Sequence, residues 1–128
     1  MKTRHLVDPE LRPALDQLGE LDAEYSVERL PALRQVMVDM CTSPDAVAPE
    51  VPGIVRRDSL VPGPEGAPEV RVLVYAHTDL GAGRPAYFYI HGGGFIMGSP
   101  DFADTANRLL ARELGCVVVA VGYRIAPE

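Results

Sequence analysis

Three consecutive glycines placed directly after a short apolar run constrain this chain more than any other feature. Ala86-Tyr87-Phe88-Tyr89-Ile90 is continuously apolar and rich in aromatics, as a buried strand would be, and it runs straight into His91-Gly92-Gly93-Gly94. Glycine opens backbone angles closed to other residues and lets another group approach the main chain, but each one weakens the fold entropically. Such a run is therefore either a flexible turn or a place where backbone N–H groups face a ligand. The residues on its C-terminal side argue for order. Ser99-Pro100-Asp101 predicts a helix start, with Ser99 as the cap and Pro100 at the first helical position. Phe102, Ala106, Leu109 and Leu110 are the expected buried stripe, and Gly115 is placed to end the helix in the left-handed conformation. Cys116 to Val121 lacks polar alternation, which predicts a strand buried on both faces, as in a parallel sheet. Strand, loop, helix and strand make a right-handed βαβ unit, so the fold class is α/β.

Upstream, Glu69–His77 alternates, with Val70, Val72 and Val74 on one face and Arg71, Leu73 and Tyr75 on the other, and reads as a strand. Ile54–Val61 reads as a second short strand within the proline- and glycine-rich stretch 44–68, and 78–85 as a turn. The N-terminal segment reads as helical. Asp8-Pro9-Glu10 is one helix start. A second helix begins near Ser26, with Pro31 in its first turn and Leu30, Leu33, Val36, Met37 and Met40 on one face; Thr42-Ser43-Pro44-Asp45 ends it. The organisation expected is a helical cap segment over 1–45 and a core over 46–128.

The chain has 128 residues, 47% of them hydrophobic, enough for one domain with a real core. A formal net charge of -6 argues against nucleic acid as a partner. No apolar run reaches membrane-spanning length, and the N-terminus shows no secretory signal. Cys41 and Cys116 lack metal-ligand spacing; they are expected as reduced thiols in a cytoplasmic protein, with a disulfide between them as the alternative, and no metal or cofactor is expected.

Two ligand classes suit a glycine loop. For a nucleotide phosphate the pattern fails: Gly93 and Gly98 have the right spacing, but Ser99-Pro100 stands where Lys-Ser/Thr is required, and Met97 occupies the third glycine of a dinucleotide fingerprint. The other class is the oxyanion of acyl transfer, where fixed backbone donors meet negative charge developing on a carbonyl oxygen. His-Gly-Gly-Gly after a buried strand is a known form of that loop.

A second motif sharpens the reading. Tyr123-Arg124-Ile125-Ala126-Pro127-Glu128 resembles the Tyr-Arg-Leu-Ala-Pro-Glu segment of the hormone-sensitive-lipase family of α/β-hydrolases, the bacterial family IV esterases, and His91 to Ser99 resembles that family's oxyanion loop. The resemblance covers residues 86–128. It implies the N-terminal portion of the α/β-hydrolase fold, a mostly parallel sheet with flanking helices and a helical N-terminal cap. It also implies hydrolysis of small-molecule carboxylic esters. On this resemblance Gly93 and Gly94 would donate to the oxyanion, and Gly92 would shape the turn. His91 would support the loop rather than act as a base, and Tyr123, Arg124 and Glu128 would brace the floor of the site. Gly122 departs from the family, which commonly has Asp or Asn there.

The nucleophile of the family sits in Gly-Asp-Ser-Ala-Gly, a G-x-S-x-G elbow. None of Ser26, Ser43, Ser59 and Ser99 has such flanks. The triad follows the order Ser, Asp or Glu, His, so all three members would lie after Glu128 and no catalytic residue is expected within these 128 residues. His5 is expected in solvent and His77 at the surface. The chain by itself is expected to be inactive. An unpaired edge of the Val117–Val121 strand is also expected to leave the chain marginally stable, self-associating or rescued by a partner. The alternative is a non-catalytic binding or interaction module on the same half-fold.

Overall fold

The computed structural model describes residues 3–17, 26–42, 49–79 and 81–127, with side chains described except at 17 and 40–42. Met40, Cys41, the stop at 43–45 and Glu128 therefore lie outside the described side chains. Among the described residues three helices, α1 (Arg12–Gln17), α2 (Leu30–Thr42) and α3 (Asp104–Leu114), accompany four strands: β1 (Ile54–Val61), β2 (Val70–His77), β3 (Ala86–Ile90) and β4 (Val117–Gly122). The strands form one sheet in the order β1-β2-β4-β3. β3 and β4 run parallel, from Ala86 opposite Val117 to Ile90 opposite Val121, whereas β1–β2 and β2–β4 are antiparallel. The parallel pair and its helical crossover are the α/β unit expected from the sequence.

Local chemistry accounts for the element ends. The Asp8 carboxylate accepts from the Glu10 N–H at 2.9 Å and opens a short 3-10 turn, Pro9–Leu11, leading into α1. Ser99 does the same for Asp101 ahead of the 3-10 turn Pro100–Ala103, and α3 follows. Gly115 ends α3 with φ 57°. In α2, Leu30 is buried and Leu33, Arg34 and Met37 are half-buried, a stripe at helical spacing; Val36, expected on that face, is 56% exposed. It sits a quarter turn off the stripe.

The core lies between α3 and one sheet face. Leu73, Tyr75, Val118 and Ala120 are fully buried there, joined by Ile54, Val51, Ala111 and Cys116. Three expectations need correction. First, the face of α3 turned to the sheet carries Asp104, Asn107 and Ala111, not Phe102, Ala106 and Leu109; Ala106 and Leu109 are exposed and Phe102 and Leu110 half-buried. The cause is polar. Tyr75 and Arg56 project from the sheet beneath the helix and require hydrogen-bond partners. Second, β4 is fully buried on one face only, since Val117, Val119 and Val121 remain half-buried. Third, β4 has no open edge, because the crossover carries it between β2 and β3. Among the described residues the edge strand on that side is β3, expected as a buried strand, where Phe88 is 60% and Ile90 61% exposed.

A network of ion pairs ties α3 to the sheet. Arg56 contacts Asp101 at 2.6 Å and Asp104 at 3.0 Å, and Arg71 contacts Asp101 at 2.6 Å and Asp58 at 2.5 Å. Asp104 also accepts from the Tyr75 hydroxyl at 2.8 Å and from Arg108 Nε at 2.7 Å. Burial pushes the Tyr75 phenol pKa up, and its bond to Asp104 adds to the rise. For Asp101 burial acts upward, but hydrogen bonds from Arg71 and Ser99 and the charges of Arg71 and Arg56 prevail and hold it at about 2.

Two outcomes are expected. Asp104→Ala leaves Arg56, Arg108 and the Tyr75 hydroxyl short of a partner, and should cost about 3–5 kcal/mol in urea unfolding followed by circular dichroism. Asp101 is depressed from 3.8 to about 2, so its contribution is complete above the unfolded value and disappears as pH falls through the folded one. Thermal stability should accordingly decline between about pH 4 and about pH 2, and Asp101→Asn should flatten that decline.

Candidate active site: the glycine loop

The loop leaves the C-terminal end of β3, and the end of the neighbouring parallel strand, β4, brings Tyr123 beside it. His91 is buried, and its ring stacks on Tyr123 with centroids 4.2 Å apart and planes 15° from parallel. The Tyr123 hydroxyl donates to the His91 carbonyl at 2.7 Å. His91 Nδ1 lies 2.8 Å from the Gly92 carbonyl oxygen. A carbonyl can only accept, so Nδ1 carries the hydrogen and the Gly92 carbonyl is held toward the ring.

The next peptide is held as firmly. The Gly93 carbonyl accepts from the Ile96 N–H at 3.2 Å and the Met97 N–H at 3.1 Å, which curls 93–97 into a tight turn. A trans peptide is planar, with its C=O and N–H pointing in opposite directions. The Gly92 carbonyl faces the His91 ring, so the Gly93 N–H points away from it. The Gly93 carbonyl faces into the turn, so the Gly94 N–H points out of it. Among the described residues neither N–H donates to a backbone or side-chain group. Gly94 has nothing within 4 Å of the place a Cβ would occupy. Two adjacent donors are thus held at fixed angles and left without a partner among the described residues.

The glycines at 93 and 98 are sterically required. A Cβ on Gly93, at φ 131°, would lie 1.9 Å from the Met97 carbonyl oxygen. One on Gly98, at φ 107°, would lie 2.3 Å from the Gly92 oxygen and 2.5 Å from His91 Nδ1. Phe95 follows Gly94 into the left-handed region at φ 62°, which is strained for a non-glycine residue, and its 72% exposed ring tilts against Tyr123 at 5.8 Å. The Ala126 N–H donates to the Phe95 carbonyl at 2.7 Å, joining the second motif to the loop.

The sequence-predicted residues fall as follows. His91, Gly92, Gly93, Gly94 and Tyr123 come together. Arg124 is exposed and makes no ion pair among the described residues, and Glu128 lies outside them. Gly122 stands opposite Arg71 in the ladder, where a Cβ would sit 3.2 Å from the Arg71 carbonyl, so an Asp or Asn there needs the backbone to give. His5 is exposed; His77 is half-buried, not at the surface as expected, because it packs on Gly53, where a Cβ would sit 2.9 Å from its Nε2. Cys116 is a buried free thiol. No metal-ligating cluster and no membrane-spanning helix occurs among the described residues. Sequence reasoning missed Arg34, whose Nε donates to the Ile96 carbonyl at 2.8 Å and whose Nη2 donates to the Ala126 carbonyl. Its only sequence signal was its place on the α2 stripe.

Alanine substitutions should rank by these clashes. Gly93→Ala and Gly98→Ala should each cost about 3 kcal/mol or more in urea unfolding, because backbone must move. Gly94→Ala, in open space at φ 61°, should cost about 1–2 kcal/mol.

Comparison with known proteins agrees with this geometry. A family model described as the alpha/beta hydrolase fold matches residues 87–128. An acetyl esterase of Salmonella paratyphi B is 35% identical over 79 residues, covering 62% of this chain. The chain spans 23% of that relative's length. A bacterial heroin esterase superposes over 98% of this chain and 38% of its own with a TM-score of 0.76 and 33% identity. EstE1, a carboxylesterase from a metagenomic library, covers 77% of this chain and 32% of its own, with a TM-score of 0.63 and 37% identity. A loop of oriented backbone donors, a stacked His–Tyr pair beneath it and esterase-type relatives along the chain converge: the chain is similar to esterases and matches the N-terminal part of the α/β-hydrolase fold.

Proposed function

We propose that this chain supplies the oxyanion-hole loop of a carboxylic ester hydrolase acting on small-molecule esters. The observation that carries the reading is the pair of outward N–H groups at Gly93 and Gly94, without a partner among the described residues and each fixed because the carbonyl of its own peptide is tied down. When a nucleophile attacks an ester carbonyl, the oxygen becomes an alkoxide. Donors already aimed at it need not reorganise, and each is worth about 3 kcal/mol of barrier. His91 and Gly92 shape and support the loop, and Tyr123 braces it from below. Arg124 and Glu128 belong to the same brace by resemblance to the family. In this fold one further donor comes from the residue after the nucleophile, and no G-x-S-x-G elbow occurs in these 128 residues. The chain by itself is therefore inactive on this reading. The helical segment 1–45 acts as a cap over the core 46–128, and the setting is cytoplasmic, where the Cys116 thiol stays reduced.

One observation favours a second reading, a binding or interaction module: the open β3 edge with Phe88 and Ile90 exposed, which would also serve self-association. An in-frame Gly-Asp-Ser-Ala-Gly in the coding sequence after codon 128 decides for the esterase; a stop codon there decides for the module.

The named Salmonella relative is an acetyl esterase, so short acyl esters are the substrates to test. The purified chain should hydrolyse p-nitrophenyl butyrate no faster than a Gly94→Pro control. Saturable turnover that vanishes in the control would locate a nucleophile within residues 1–128 and overturn the assignment of the chemistry.

A further inference from the structure

We infer that Arg34 is a positioning residue that couples the cap helix α2 to the orientation of the oxyanion donors. The inference rests on the reading of the glycine loop given above and adds to it the residue through which the cap acts. Arg34 lies one turn beyond Leu30, the buried anchor at the start of α2, and on the same side of the helix. From there its guanidinium reaches two carbonyls far away in sequence, Ile96 at the close of the glycine turn and Ala126 in the second motif. These two segments already meet through the Ala126 N–H and the Phe95 carbonyl. A planar fork with several donors suits two carbonyls on separate strands of chain; an ammonium group is a point charge with no such fork.

The mechanical path is short. Arg34 holds the carbonyl of Ile96, while the N–H of Ile96 holds the Gly93 carbonyl. The Gly93 carbonyl sets the plane that aims the Gly94 N–H. Release of Arg34 frees one end of this chain of contacts next to Phe95, a residue already held in a strained conformation. Displacement of α2 is thereby transmitted to the Gly94 donor without any contact between α2 and substrate.

The experiment is backbone amide exchange and chemical shift by NMR on the 128-residue chain, comparing Arg34→Ala and Arg34→Lys with the unaltered protein. In Arg34→Ala the Ile96, Met97 and Ala126 amides should exchange about tenfold faster or more, and the Gly94 amide resonance should shift, while Val74 and Val119 in the sheet stay unchanged. Guanidinium ion at non-denaturing concentration should restore the loop amides, and Arg34→Lys should restore them only in part. Unchanged loop amides in a folded variant would overturn the inference. So would equal acceleration in the sheet, or the absence of guanidinium rescue, since either makes Arg34 a general stabiliser. If Arg34→Ala does not fold, Arg34→Lys carries the same comparison. These measurements read loop geometry and not ester hydrolysis, so failure of the esterase reading in the turnover assay leaves their outcome distinct.

Discussion

Two carboxylates at the start of the crossover helix, Asp101 and Asp104, sit among Arg56, Arg71 and Arg108, and the arrangement of the chain around the site depends on them. Asp101 reaches both antiparallel strands at once, through Arg56 on β1 and Arg71 on β2. Asp104 lies deeper and closes the network on the Tyr75 hydroxyl. Isolated exposed pairs contribute little, but here several part-buried charges share partners over a fully buried aromatic residue, and each of the two carboxylates is matched by guanidinium donors. The network fixes where the segment after the glycine loop begins. The segment before it is fixed by the β3–β4 ladder. The loop is therefore strung between two anchored ends.

Within that span side chains set the course of the backbone. The His91 ring, stacked on Tyr123, orients one peptide, and the turn closed at Ile96 and Met97 orients the next. The glycines at 93 and 98 are there because other backbone atoms occupy the space a side chain would take. Preorganisation of this kind comes with local strain at Phe95, which the surrounding contacts hold in place.

Much of this was legible in the residues themselves. The strands Ile54–Val61 and Ala86–Ile90 have the limits read from pattern, and the caps at Asp8, Ser99 and Gly115 are where side-chain chemistry puts them. Those signals are local. What escaped was set by partners distant in sequence. The polar face of α3 is turned inward because Tyr75 and Arg56 lie beneath it, and no periodicity within α3 records that. Strand order was hidden for the same reason: the Val117–Val121 run says that it is apolar, not that it has neighbours on both sides. Arg34 looks like any arginine beside an apolar stripe until its carbonyl partners, 62 and 92 residues away, are in view.

The threading of β4 between β2 and β3 has a further meaning for how the molecule acquires its shape. The β1–β2 hairpin has only local closure to complete and can form early. β3 pairs in this sheet with β4, 31 residues on, whereas β4 must also reach back to β2, 43 to 51 residues away, so the longest loop closure joins the parallel pair to the hairpin. The glycine loop hangs from the end of β3, and Tyr123 from the end of β4. The two halves of the site are therefore brought together by the β3–β4 pairing itself. The loop and the ring that braces it thus meet within one βαβ unit, whatever the antiparallel hairpin beside it is doing.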